Sequence, residues 1–292
     1  MSPQPAPLPA WFTRAIGVRP QSGSLTWSGT EINFLMWGPG DTPGVILIHG
    51  GGAHAHWWDH IAPYLAQDQR IVAVDLSGHG DSGHRHAYSL DDWSGEVLAA
   101  AKAGGIAGRP VLVGHSMGGI VALRAATSFA GELEAVVVVD TPIGNLTPED
   151  RAAREQAAFG PLRKYPTEQD AIARFRLIPP QEQALPYLVR HIADRSVRRV
   201  AGGWSWKFDP KIFDRDTLDP ASLAAMRCPT ALVRAEHGLL TAEMCAHVRL
   251  ASGRQAPAVE IPEASHHVMI DQPLTLVTAL RALLVKLGCA AP

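Results

Sequence analysis

A serine stands between two glycines at residues 114–118, where the sequence GHSMG has the spacing G-x-S-x-G. Three apolar residues precede this stretch and an apolar run follows it, which predicts a strand, a very tight turn and a helix. A serine at such a turn has a strained backbone, so the residues two before and two after it must lack side chains. Ser116 would then stand clear of the sheet at a helix N-terminus, where the helix dipole favours developing negative charge. The pattern predicts a nucleophile, and an ordinary serine in a glycine-rich turn is the alternative.

A serine hydroxyl is a weak nucleophile unless a base removes its proton and an acid orients that base. The loop at residues 262–268 follows the last predicted strand and carries two candidate bases, His266 and His267. Because parallel strands end at one edge of their sheet, this loop should lie beside the serine turn. His266 is the predicted base, and His267 is the alternative.

Short apolar runs alternate with helical patterns over much of the chain. This alternation predicts an α/β fold with a mostly parallel central sheet that is buried on both faces and flanked by helices. A hairpin is predicted over residues 25–37. The strands are predicted at residues 45–48, 71–74, 111–113, 136–139, 229–233 and 258–261, and helices at 57–66, 90–103 and 274–287.

Residues 143–219 interrupt this alternation with helical patterns and no predicted strand. Helices are expected to begin at Thr147 and Thr167, and a third is expected over residues 181–199. An aromatic cluster at residues 204–208 is predicted to be a loop, in which Trp204 and Trp206 either line a substrate pocket or form a small core. The segment carries 13 basic and 11 acidic residues, which is typical of a mixed solvated surface.

The 292 residues suit one large α/β domain with an insertion, and the net charge of −2 argues against a nucleic-acid partner. Nor does any apolar run reach membrane-spanning length, which argues against a membrane protein. The proline-rich beginning predicts a flexible tail over residues 1–24, so the core would comprise residues 25–142 and 220–292. Three scattered cysteines fit a reducing cytoplasm. We expect no metal, since the spacing of the histidines at residues 49–60 matches no metal motif.

Four stretches together resemble the α/β-hydrolase superfamily: the GHSMG turn, HGGG at residues 49–52, DLSGHGDS at 75–82, and the late histidine before DQP at 271–273. The resemblance covers nearly the whole chain except the tail and the insertion, and it implies an α/β-hydrolase fold with a helical cap at residues 143–219. It further implies an oxyanion hole built from the backbone N–H groups of Gly51 and Met117. The serine argues against the haloalkane dehalogenase and epoxide hydrolase branches, which use an aspartate nucleophile.

The acid of the triad departs from the commoner pattern of this superfamily. Many relatives place an aspartate in a G-x-x-D setting after the strand that follows the cap, but here Gly238 occupies that position. Some relatives use the end of the strand after the serine helix instead, where this chain has Asp140. Asp140 is therefore the predicted acid, and Glu236, two residues before Gly238, is the alternative.

These features predict a serine hydrolase that attacks a carbonyl group, in a carboxylic ester or lactone, through an acyl-enzyme intermediate. A C–C bond or amide hydrolase built on the same residues is the nearest alternative. A ligand receptor with slow hydrolysis is an alternative of another class, because fold does not fix function. We expect a small-molecule substrate, no cofactor, a monomer or homodimer, and a cytoplasmic location.

Overall fold

An eight-stranded sheet forms the centre of this computed structural model, which describes residues 7–144, 162–252 and 256–289. The second sheet found in these ranges is a two-stranded hairpin. The strands of the large sheet are β1 Gln21–Trp27, β2 Thr30–Trp37, β3 Gly44–Ile48, β4 Arg70–Val74, β5 Val111–His115, β6 Ala135–Val139, β9 Thr230–His237 and β10 Ala258–Ser265, and those of the hairpin are β7 Val197–Val200 and β8 Gly203–Trp206.

The large sheet has the strand order β1-β2-β4-β3-β5-β6-β9-β10. The first three strands in this order pair antiparallel, and all the remaining pairs are parallel. Every residue of β3, β4, β5 and β6 is buried, as expected for strands covered on both faces. The predicted fold class is confirmed, and the parallel strands deliver the loops that follow them to one edge.

Helices flank the sheet, and the local sequence explains where several of them begin. Ser89 caps the first long helix, since its hydroxyl accepts a hydrogen bond from the N–H of Asp92 at 3.0 Å. None of the helices in the described ranges is long and apolar enough to cross a membrane. The helices are α1 Ala10–Gly17, α2 Ala62–Leu65, α3 Leu90–Ala103, α4 Met117–Ser128, α5 Glu168–Ala173, α6 Pro186–Ala193, α7 Ala242–Ala251, α8 Val268–Asp271 and α9 Pro273–Lys286, and the 3₁₀ turns are Ala55–Trp58, Ala130–Glu132, Pro210–Phe213 and Pro220–Ala225.

The N-terminal segment differs from its prediction. A flexible tail was expected over residues 1–24, but α1 and the first half of β1 lie within residues 7–24. Phe12 is buried, with its ring 4.9 Å from that of Tyr187 and 5.7 Å from that of His191. The prediction is wrong for residues 10–24 because the apolar face of α1 docks on α6 and residues 21–24 pair with β2; residues 1–6 lie outside the described ranges.

The insertion also differs from its prediction, because its described part contains the β7–β8 hairpin as well as helices. The hairpin turns at Ala201 and Gly202, and positive φ angles at Gly202 and at Gly203, the first residue of β8, explain why glycine stands at both positions. The helix expected over residues 181–199 is limited to α6, while the one expected to begin at Thr147 lies outside the described residues. The cap boundaries at 143 and 219 stay predictions.

Buried histidines make the stability of the fold sensitive to acid. Burial lowers the pKa of His49 and of His60 from 6.5 to about 4. In the unfolded chain these groups bind protons near pH 6.5, whereas in the native protein they stay neutral until the pH approaches 4. Each such group therefore costs about 1.4 kcal/mol of unfolding free energy per pH unit within that window. Burial likewise lowers the pKa of further histidines, namely His54, His79, His115 and His267.

We therefore expect the melting temperature to fall as the pH drops from 7 to 5. The buried carboxyls of Asp75 and Asp271 act in the opposite direction, because burial raises the pKa of each to about 6, but the six histidines outnumber them. Thermal unfolding at pH 7, 6 and 5 measures the effect, and His60→Gln should lose less stability than the wild type across this range. A melting temperature that is constant or rises toward pH 5 would contradict this prediction.

Candidate active site

Ser116 lies at the sharp turn between β5 and α4, with φ 54° and ψ −120°. A Cβ atom on Gly118 would lie 2.5 Å from the carbonyl oxygens of Ile48 and His49, and one on Gly114 would overlap the carbonyl oxygen of Gly118. Both glycines of the motif are therefore required, because a side chain at either position would collide with neighbouring backbone atoms. The strained turn leaves the serine side chain at the carboxyl edge of the sheet.

The structure brings together three side chains that follow three different strands. His266 Nε2 lies 3.0 Å from Ser116 Oγ, and His266 Nδ1 lies 2.7 Å from Asp140 Oδ2. An ionised carboxylate only accepts hydrogen bonds, so Nδ1 carries the proton and Nε2 accepts from the serine hydroxyl. This tautomer makes His266 competent to take the serine proton.

Asp140 is fully buried directly after β6, and backbone N–H groups surround its carboxylate. The groups that donate to it belong to Leu239 at 2.8 Å, Ala235 at 3.2 Å and Leu240 at 3.3 Å. Burial by itself would raise the pKa of Asp140, but the hydrogen bond from His266, its positive charge when protonated and the Leu239 N–H together hold that pKa below its ordinary value. The carboxylate is therefore ionised at neutral pH.

Gly238 leaves room for the Asp140 carboxylate. A Cβ atom at this position would overlap the carboxylate of Asp140, so only glycine leaves room for it. Glu236, the alternative acid, instead accepts a hydrogen bond from the N–H of Glu263 at 2.8 Å, and it is 40% exposed. No described contact joins Glu236 to His266.

His267, the alternative base, lies beside the pocket but is oriented differently. Its two ring nitrogens are buried and have no hydrogen-bond partner in the described part of the chain. Its ring packs 5.3 Å from that of Trp57, and its backbone N–H donates to Gln181 Oε1 at 2.9 Å. Burial holds the pKa of His267 well below its ordinary value. These contacts are those of a packing residue.

The HGGG loop is fixed by its own histidine. His49 Nε2 accepts a hydrogen bond from the N–H of Leu76 at 3.2 Å, so the ring proton is on Nδ1. That proton is donated to the carbonyl oxygen of Gly50, with Nδ1 and the oxygen 2.8 Å apart. The Gly50 carbonyl is thereby turned away from the pocket.

The orientation of this peptide bears on the predicted oxyanion hole. The N–H and C=O groups of a trans peptide point in opposite directions, so the N–H of Gly51 points away from His49. Gly51 lines the pocket beside Ser116, and its N–H donates no backbone hydrogen bond within the described residues. The N–H of Met117 begins α4 and has no acceptor within the helix. Both predicted donors are therefore available to a ligand.

His115, the residue before the serine, was not singled out by the sequence. It is buried, and its Nε2 donates to the carbonyl oxygen of His266 at 2.9 Å. Burial, with a further contribution from His266, lowers the pKa of His115 to about 3, so the ring is neutral. His115 fixes the backbone of the histidine loop, a role that needs the tertiary structure to be recognised.

A cavity of about 380 Å³ opens at Ser116 and His266. Trp206 lines this cavity, whereas Trp204 does not; Trp204 instead pairs with Arg199 in the hairpin and with Tyr165. The two tryptophans belong to β8, so the predicted loop at this position is wrong up to Trp206. Side chains two residues apart on a strand lie on the same face, so position along β8, and not the face, separates Trp206 at the cavity from Trp204.

Two groups of side chains have spacing that would suit a metal ion. One is the cluster His115, His266 and His267, and the other is Glu236, His237 and Glu263; within each group the ligand atoms lie within 4.8 Å of one another. In the first group, both ring nitrogens of His266 already bind Ser116 and Asp140, so a metal there would compete with those hydrogen bonds.

The chain is similar in sequence and in fold to known proteins over most of its length. A model of the alpha/beta hydrolase family matches residues 45–280. Esterase Rv0045c of Mycobacterium tuberculosis is 31% identical over 87% of this chain and 86% of its own length. Pimeloyl-[acyl-carrier protein] methyl ester esterase of Methylococcus capsulatus is 36% identical over 34% of this chain and 37% of its own. The crystal structure of E-2-(acetamidomethylene)succinate hydrolase has a TM-score of 0.78 at 20% identity, with 90% of this chain and 98% of that chain covered. The chain therefore belongs to the alpha/beta hydrolase family.

Proposed function

We propose that the chain is a serine hydrolase that cleaves a carboxylic ester or lactone of a small molecule. The observation that carries this proposal is the continuous hydrogen-bonded series from Ser116 through His266 to Asp140 at the wall of a cavity. Nucleophile, base and acid are each within hydrogen-bond reach of the next, as covalent catalysis by serine requires. The similarity to an esterase over 87% of this chain supports an ester as the substrate.

The reaction would proceed in two halves. In the first, His266 takes the hydroxyl proton as Ser116 Oγ attacks the carbonyl carbon, and the tetrahedral intermediate then expels the alcohol, which receives that proton from His266. In the second, His266 takes a proton from water, which attacks the acyl-enzyme carbonyl, and the resulting tetrahedral intermediate then expels Ser116 Oγ, which receives that proton from His266 as the acid is released. Asp140 holds the imidazole in the required tautomer and stabilises the imidazolium that forms in each half.

The negative charge that develops on the carbonyl oxygen would be bound by the N–H groups of Gly51 and Met117. Their freedom from backbone partners supports this role, since a preorganised donor costs no rearrangement during the reaction. The dipole of α4 adds to the stabilisation, because the oxygen would lie near the N-terminus of that helix.

Steady-state kinetics with 4-nitrophenyl esters of increasing chain length, simple lactones, matched anilides and vinylogous diketones test this proposal. We expect continued release of product over many turnovers on an ester or lactone, at a kcat/KM at least about a hundredfold above that of the matched anilide. A single burst of product followed by no turnover would instead support a receptor. Faster cleavage of the diketone or the anilide would identify a C–C bond or amide hydrolase.

A further inference from the structure

The arginine and carboxylate side chains that line the cavity at Ser116 are not balanced in charge. Three arginines contribute to its lining, Arg163, Arg174 and Arg176, and no aspartate or glutamate is among the lining residues that the structure describes. All three arginines are exposed as well as lining the cavity, which places them at its open side. Among the described residues, the aspartate, glutamate, lysine and arginine side chains that line the cavity are therefore all cationic.

These arginines also lack a carboxylate partner in the described part of the chain. Within the described residues, none of the three forms an ion pair, and Arg176 Nη1 instead donates to the carbonyl oxygens of Ala173 at 3.0 Å and Phe175 at 2.6 Å. A guanidinium group has five N–H donors, so Arg176 is held in place with donors to spare. Ion pairs are formed elsewhere by Arg85 with Glu96 at 2.8 Å, Arg124 with Asp91 at 2.6 Å and Arg190 with Asp194 at 2.8 Å.

An apolar wall adjoins the charged rim. Phe175, which lies between two of the arginines in the sequence, has its ring 6.5 Å from that of Trp57 and 6.2 Å from that of Trp206. All three rings line the cavity together with Ser116. A ligand that reaches the serine would therefore contact aromatic surface within the cavity and guanidinium groups at its opening.

We infer that the substrate is an anionic ester, with a carboxylate or phosphate group separated from the ester by a short apolar chain. Arginine is suited to both anions, because its planar donors match their oxygens in pairs. Unpaired cations at the opening would also attract such a substrate over several ångströms and raise its rate of association. The inference rests on the proposed ester hydrolysis, and it adds a binding group without altering the covalent steps.

Two esters with the same six-carbon acyl chain test the inference: mono-4-nitrophenyl adipate, which ends in a carboxylate, and 4-nitrophenyl hexanoate, which is neutral. We expect kcat/KM to be at least about tenfold higher for the adipate, mainly through KM, and about 0.5 M NaCl to reduce the difference. The 4-nitrophenyl ester of 6-phosphonooxyhexanoate distinguishes a phosphate from a carboxylate as the preferred anion.

Variants separate a local effect of these arginines from the effect of overall charge. Replacing all three by glutamine should bring the ratio of the two kcat/KM values close to one. Arg199→Gln is the matched control, since Arg199 is exposed on β7 of the same insertion and does not line the cavity. The ratio should stay at its wild-type value in this control.

Two results would overturn the inference: equal kcat/KM values for the two esters in the wild type, or a preference for the adipate that survives in the triple variant. If the wild type hydrolyses neither of these esters and none of the other esters and lactones named above, the proposed function fails, and calorimetric titration with adipate monoamide then tests the anion site alone. Binding to the wild type that weakens at least about tenfold in the triple variant would support the site, and equal binding to both would refute it.

Discussion

Ser116→Ala is expected to lower kcat/KM for ester hydrolysis by at least about ten-thousandfold. The variant removes the only atom that would form a bond to the substrate carbonyl. The fold should persist, because the contacts that hold the turn are made by the backbone: the N–H of Ser116 donates to Val139, and its carbonyl oxygen accepts from Gly119, each at 3.0 Å. Loss of activity would thus reflect chemistry and not unfolding.

Initial rates and thermal unfolding on the purified variant measure this effect. Ser222→Ala serves as the matched control, since Ser222 lies in a 3₁₀ turn outside the cavity and bonds only to Asp219 in the described hydrogen bonds. Its rates should equal those of the wild type. If Ser116→Ala kept more than about a tenth of the wild-type rate, another nucleophile would be required.

Asp140→Asn has the second largest expected effect, a loss of at least about a hundredfold in kcat. The carboxylate accepts the Nδ1 proton of His266 at 2.7 Å, and asparagine can present its NH₂ group there instead, which favours the unproductive tautomer. The negative charge that stabilises the imidazolium is also lost. Three backbone N–H groups donate to this buried carboxylate, so the substitution can also affect stability. Circular dichroism and thermal unfolding must therefore accompany the kinetics.

Glu236→Gln is the matched control for the acid. Both variants replace a carboxylate by its amide near the end of a strand, but Glu236 bonds to the backbone of Glu263 at 2.8 Å instead of to His266. We expect it to lose less than about tenfold in kcat. If Asp140→Asn were folded with near wild-type kcat and Glu236→Gln were inactive, Glu236 would be the acid of the triad and Asp140 would not.

Local pattern was sufficient to predict much of the core and the candidate nucleophile. Buried parallel strands are continuous apolar runs, and the glycines of the serine turn are required by backbone contacts close to Ser116, so both leave signals in the sequence. The choice between Asp140 and Glu236 was harder, because a carboxylate at a strand end has the same appearance whether or not it reaches a histidine. The deciding contact is the 2.7 Å hydrogen bond between Asp140 and His266, which are 126 positions apart in the chain.

Other features depend on tertiary contacts that a local pattern does not contain. Helix α1 follows a proline-rich stretch, and its few apolar residues gain their burial only by docking on α6. Arg163, Arg174 and Arg176 have the same local appearance as the paired arginines of the insertion. Only the fold shows that they share a cavity with Ser116 and that they lack acidic partners in the described ranges.

Covalent trapping tests most directly the central claim that Ser116 attacks the substrate. The enzyme is incubated with a fluorophosphonate, and intact mass and peptide mapping then locate the adduct. We expect one adduct per chain, on the peptide that contains Ser116, formed more slowly when an ester substrate is present and lost in His266→Ala. An adduct on another residue, or continued ester hydrolysis by fully labelled enzyme, would contradict the assignment.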